Sequence, residues 1–220
     1  THVAELDMIY VPVVSNHKLN NDSNIALTEG ASTTIAVTAT VTDQNGYSDL
    51  SLASSTVYRS GVGSICSADS NSCYRLGTSS CAYSGCSGVS CTLTCNAHVQ
   101  YIADPTDVGS AYSAESWLSE LWVSDLEGNT STSSSVAVDL LTLYGLTVNT
   151  SNIDFGSLSV GSTTGNVNAT TTIQNTGNTN INISVAGTSL AGTQGSIDVG
   201  EIKYATTTFA YGSCAVCQFL

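Results

Sequence analysis

The chain has 220 residues, 41% of them hydrophobic and only 10% charged, and seventeen acidic residues against four basic ones give a formal charge of −13. That is enough apolar material for a core, but far below the roughly 25% charged residues of an ordinary soluble protein. No basic footprint is available to displace counterions from a polyanion, so nucleic acid is excluded as a partner, and anionic membrane surfaces should repel the chain.

Read in chain order, residues 6–14 (LDMIYVPVV) form a strand-like apolar run. Pro12 lacks the donor of a central ladder, which places this run at a sheet edge or outside the main sheet. The polar residues 15–24 read as a linker or long loop. Residues 33–43 alternate with period two, Ile35, Val37, Ala39 and Val41 on one face and threonines on the other, which is a half-buried strand. A turn at Asp43-Gln44-Asn45-Gly46 leads to a second strand near residues 50–59. Residues 61–90 show no periodicity and read as a cysteine-stapled loop. Alternation resumes at Thr92, with Leu93, Cys95, Ala97, Val99 and Tyr101 on one face. Residues 104–117 could hold a short helical turn. Strand patterns follow at 118–124 and 136–143, flanking a turn at Glu127-Gly128-Asn129. From Tyr144 onward, strands are expected at 146–149, 167–174, 180–186 and 205–211, with a tight turn at Asn175-Thr176-Gly177-Asn178. Many short strands separated by turn chemistry, with no sustained helical period, predict an all-β chain of antiparallel sandwiches.

The eight cysteines are Cys66, Cys73, Cys81, Cys86, Cys91, Cys95, Cys214 and Cys217. Their even number and close spacing predict disulfides formed in an oxidising compartment, hence an extracellular or cell-surface protein. The local pairs Cys66–Cys73 and Cys214–Cys217 are expected; the connectivity of the other four stays open. A zinc reading of Cys91-x3-Cys95-x2-His98 is weak, because strand alternation sends Cys95 and His98 to opposite faces. The chain begins at Thr1, which suggests a mature product, and no stretch of about 18 apolar residues predicts a membrane span.

Catalysis needs a base beside a nucleophile. Only His2, His17 and His98 are present, two in the expected tail and linker and one on a polar strand face, and no Gly-x-Ser-x-Gly, phosphate loop or His-Glu-x-x-His occurs. The expectation is a protein that is not an enzyme and needs no cofactor, calcium being the one candidate. Asp43, Asn45 and Asp49 place oxygen ligands around Gly46 as hard cations prefer, although an ordinary Asx/Gly turn explains the same pattern. Asp104 and Asp107 are weaker candidates. Glycan acceptor sequons occur at Asn21, Asn129, Asn149, Asn168 and Asn182. Trp117, Trp122 and the tyrosines could offer a carbohydrate platform, though aromatics in a sandwich more often fill core or interface.

Two resemblances add to this reading. Asp154-Phe155-Gly156-Ser157-Leu158-Ser159-Val160-Gly161-Ser162, followed by Thr172-Ile173-Gln174-Asn175-Thr176-Gly177-Asn178, resembles immunoglobulin-like domains of the ASPM/SPD-2/Hydin type over about a third of the chain. Val41-Thr42-Asp43-Gln44-Asn45-Gly46, Tyr58-Arg59-Ser60-Gly61, the cysteine stretch and Ala103-Asp104-Pro105-Thr106-Asp107 are similar to secreted surface proteins of candidate-phyla-radiation bacteria. They imply two tandem immunoglobulin-like sandwiches on a cell surface: an N-terminal extension over 1–24, a domain over 25–143 with a cysteine-rich insertion at 61–95, and a second domain over 144–220. An immunoglobulin-like domain needs about 100 residues and about seven strands. Residues 144–220 fall short of that, so the second domain is expected to lack its last strand. A strand carrying Leu6, Met8, Tyr10, Val11 and Val13 could fill such a gap in a neighbouring copy, and a head-to-tail contact that does not close builds a fibre. The expected function is a structural subunit of an extracellular filament or surface layer, its partners identical subunits. The alternative is a surface adhesin or carbohydrate-binding module of a longer protein, with a glycan ligand.

Overall fold

A computed structural model describes residues 8–150 and 152–220. The chain is all-β, and its contacts divide it into two compact units. Residues up to Gly145 together with Thr176–Asn180 make the first; Leu146–Asn175 and Ile181–Leu220 make the second.

Eight strands build the first unit: β1 (Val13–Leu19), β2 (Thr33–Thr42), β3 (Leu50–Arg59), β4 (Cys73–Leu76), β5 (Cys81–Ser87), β6 (Ser90–Val99), β7 (Trp117–Asp125) and β8 (Thr130–Ser134). They form two four-stranded antiparallel sheets, in the orders β1-β2-β6-β5 and β4-β3-β7-β8. The alternation read from the sequence sets the inward faces. Ile35, Val37, Ala39 and Val41 of β2 and Leu93, Cys95, Ala97 and Val99 of β6 are buried opposite Val57 of β3 and Trp117, Leu121 and Val123 of β7. The β2–β6 ladder runs from Thr33↔Val99 to Thr42↔Ser90 without a register shift, as expected of two strands with one strongly specified apolar face. Trp117 is fully buried, donates Nε1–H to the Asp104 carbonyl at 3.0 Å and lies 6.0 Å from the Tyr74 ring.

Four local expectations are corrected. Residues 15–19 are no linker: β1 starts at Val13 and continues to Leu19, which is fully buried, and pairs with β2. The cysteine-rich stretch is not structureless, because β4 and β5 extend one sheet each. β5 carries no apolar period to reveal it, and cross-links to β6 hold it instead. Residues 136–143 form no strand; β8 takes the ladder position beside β7. Val138 and Leu140 are still buried and make isolated bridges to Trp117 and Ile25. Residues 104–116 make turns and bends, not helix.

The Asn175–Asn178 turn, expected inside the second domain, supplies its tip to the first unit. Asn178 Nδ2 donates to the Ala103 and Leu141 carbonyls (3.0 and 3.1 Å), its Oδ1 accepts the Leu143 N–H (2.7 Å), and Thr176 Oγ1 donates to Glu29 (2.6 Å).

The second unit holds only short ladders: β9 (Leu146–Val148) with β10 (Ile173–Asn175), β11 (Leu190–Gly192) with β12 (Gly195–Ile197), and β13 (Lys203–Tyr204) with β14 (Gln218–Phe219). Strands expected through 167–172, 180–186 and 205–211 are not formed. Among the described residues, every buried apolar side chain belongs to the first unit.

Candidate functional site

All eight cysteines are paired: Cys66–Cys73, Cys81–Cys95, Cys86–Cys91 and Cys214–Cys217. The zinc reading thereby falls, since both strand cysteines are consumed in bridges, and His98 instead meets Thr34 Oγ1 at 2.9 Å. Cys81 and Cys95 are direct register partners in β5 and β6, so pairing the strands brings their sulfurs together. No helix among the described residues is long and apolar enough to cross a membrane.

His17 lies between the sheets at one edge, Nε2 2.9 Å from Ser119 Oγ of β7 and Nδ1 3.2 Å from Ser133 Oγ of β8. Burial lowers its pKa to about 4, against smaller upward pulls from a hydrogen bond with the Ser133 backbone and from the Asp22 charge. A neutral ring held by two serines closes the sandwich edge. Asp104 and Glu115 converge on Arg59: Asp104 accepts from Nε at 3.0 Å, Glu115 accepts from Nη1, and the guanidinium sits 3.9 Å from the Tyr112 ring centre. Burial raises the Asp104 carboxyl above its ordinary range, and Arg59 acts in the opposite direction. Asp107 accepts twice from Thr142.

The site with chemistry left over is the turn between β2 and β3. Asp43 directly follows β2, Asp49 closes the short 3₁₀ turn Tyr47–Asp49, and Asp125 ends β7, brought there by the Leu50↔Asp125 pairing of β3 with β7. One carboxylate oxygen from each of the three lies within 4.8 Å of those of the others. Asp43 and Asp125 are only 1% and 2% exposed. Asp43 Oδ1 accepts the Asn45 N–H at 2.8 Å, the expected Asx turn, whereas Asp43 Oδ2 is buried with no hydrogen-bond partner. Asp125 is held by Asn129 through its backbone N–H (2.7 Å) and Nδ2 (2.8 Å). Glu127 lies beside Asp49; their shared hydrogen bond, with burial and the Asp49 and Asp125 charges adding to it, raises the Glu127 carboxyl above its ordinary range.

Asn45, the remaining residue of the Asp43-x-Asn45 pattern, is engaged by the N-terminal segment. Its Oδ1 accepts the Tyr10 N–H and its Nδ2 donates to the Met8 carbonyl, each at 2.9 Å, so it clamps the backbone of the N-terminal segment. Asp125 joins Asp43 and Asp49 in the acidic cluster, and sequence reasoning missed it because only the β3–β7 register delivers it. Within that segment Met8, Ile9, Val11 and Val13 are 50–62% exposed, and Tyr10 is 38% exposed; Leu6 lies outside the described residues. Of the sequon asparagines, Asn21, Asn149 and Asn182 are exposed, Asn129 is engaged with Asp125, and Asn168 exchanges two hydrogen bonds with the Phe209 backbone. Trp122 is half-buried beside Glu120, Arg75 and Ile65 in a shallow depression, and Trp117 is core. No protein-family model, curated protein or solved structure matches the chain.

Proposed function

We propose that this chain is a structural subunit of an extracellular filament or surface layer, assembling by donation of its N-terminal apolar strand to the immunoglobulin-like second unit of another copy. The observation that carries the reading is that no apolar side chain among the described residues of that unit is buried. Its apolar side chains stay at the surface, among them Val148, Val160, Val167, Ile183, Val216 and Phe219, each more than half exposed. Apolar surface removed from water is worth roughly 25 cal/mol per Å², so side chains of this kind favour a partner that covers them. The same chain offers a suitable occupant in Met8, Ile9 and Val11, an extended segment with exposed apolar side chains just ahead of β1. Its backbone is held by one asparagine and not by a ladder. Four disulfides suit the oxidising conditions of a cell exterior.

The test is electron microscopy and sedimentation of the full chain and of a variant carrying Ile9→Glu and Val11→Glu. Both positions precede β1, so the first unit should fold unchanged. Filaments or higher oligomers in the parent that are lost in the variant would support strand donation. Monomers in both samples, at concentrations of about 100 µM, would overturn it; glycan binding near Trp122 would then be the next assay.

A further inference from the structure

Asp43, Asp49 and Asp125 bring three negative charges together with no positively charged partner among the described residues. The chain has four lysines and arginines in all. Lys18 pairs with Asp22, Arg59 with Asp104 and Glu115, Arg75 donates to the Cys66 carbonyl, and Lys203 donates to the Tyr211 carbonyl. A buried carboxylate without a cation or a full set of donors is costly, and proteins resolve this by pairing the charge or by coordinating a metal. A second observation, independent of the clustering, points to the metal: Asp43 Oδ2 is sealed from solvent and no donor among the described residues reaches it. Neighbouring donors were available to the fold, since Asn45 and Asn129 satisfy the other Asp43 oxygen and both Asp125 oxygens respectively.

The geometry fits a particular class of ion. Oxygens that share one calcium ion at 2.3–2.6 Å lie at most about 5 Å apart, and these three carboxylates meet that limit. All the ligands are hard oxygens, without sulfur or imidazole, which suits calcium or magnesium over zinc or copper. Magnesium demands tight octahedral geometry and keeps its waters, whereas calcium accepts a carboxylate-rich, irregular shell. Here two ligands are buried, one directly after β2 and one at the end of β7, and the third sits on a turn open to solvent that can complete the shell with water. We propose that Asp43, Asp49 and Asp125 form a calcium site that ties the β2–β3 turn to the end of β7.

The experiment is calorimetric titration and thermal unfolding of the chelator-stripped full chain with calcium chloride and, separately, magnesium chloride, on the parent, Asp49→Asn and Asp125→Asn. One saturable calcium site is expected, with weaker magnesium binding. For an affinity near 10⁻⁴ M, as in many extracellular modules, 10 mM calcium should raise Tm by roughly 5–10 °C. Asp49→Asn and Asp125→Asn should each weaken calcium binding at least tenfold. In chelator, Asp49→Asn should be no less stable than the parent, because it relieves repulsion within the cluster. Asp49 is only partly buried, so that variant carries the test even where Asp125→Asn fails to fold. A parent whose Tm is unchanged at 10 mM calcium, or an Asp49→Asn variant that keeps the full Tm rise, would overturn the site.

Discussion

The His17 contact makes stability depend on pH in a way that can be isolated. In the folded chain burial holds the ring's pKa near 4, against 6.5 unperturbed. The unfolded chain therefore binds the proton first as pH falls, so the neutral ring's contribution is complete above about 6.5 and lost by about 4. The full difference sets a ceiling of about 3.4 kcal/mol. Because the ring keeps some contact with water, we expect about 1–2 kcal/mol in practice. The assay is urea unfolding of the parent and of His17→Gln at intervals between pH 4 and 8. Carboxylates titrate in both proteins, so the informative quantity is the difference between the two curves. That difference should shrink or reverse by about 1–2 kcal/mol on going from pH 7 to pH 4, with most of the change below pH 6.5. Parallel curves across the range would refute the argument, because they would mean that protonating the ring costs the folded sandwich nothing.

Three further outcomes follow from side chains with unusual surroundings. Arg59→Ala strips the one cation from Asp104 and Glu115 and should cost about 3 kcal/mol in urea unfolding, with Arg59→Lys recovering only part because a lysine cannot serve both carboxylates as a fork. Tyr83 buries a hydroxyl with no partner, and its pKa is pushed up to about 12 by burial. Tyr83→Phe should therefore leave Tm unchanged or raise it, the gain being up to about 1 kcal/mol. At Gly177 an added Cβ would overlap the Leu143 carbonyl oxygen and come within 2.7 Å of the Gly145 nitrogen. Gly177→Ala should destabilise the first unit by about 1–3 kcal/mol. Gly212→Ala, where a Cβ meets nothing within 4 Å, serves as the neutral control in the same thermal scan.

What the sequence made legible divides along physical lines. β2, β3, β6 and β7 were readable because each has one face in the core, and a buried face imposes a period of two. β5 and β8 were not: Cys81–Ser87 and Thr130–Ser134 are polar edge strands, held by cross-links and by β7, so no apolar period marks them. Residues 136–143 show the converse error, since Val138 and Leu140 alternate inward without a continuous ladder. Two of the three residues of the acidic site were equally visible. Asp43 and Asp49 announce themselves around Gly46, but Asp125 lies far along the chain, and only β-pairing sets it beside them. Asn45 stands at ligand spacing from Asp43, and spacing cannot tell that its amide is engaged by the Met8 and Tyr10 backbone.

The placement of the disulfides makes the two edges of the β1-β2-β6-β5 sheet unequal under load. β5 is riveted to β6 by Cys81–Cys95 and Cys86–Cys91, while β1 is held to β2 by hydrogen bonds and side-chain packing alone. Tension applied through the N-terminal segment would be borne by the β1–β2 ladder, which can shear. The residues enclosed by Cys81 and Cys95 would withhold about 45 Å of contour length, at roughly 3.4 Å per residue, from a chain stretched in oxidising surroundings and release it only on reduction. A molecule built this way yields at one margin while the other stays inextensible.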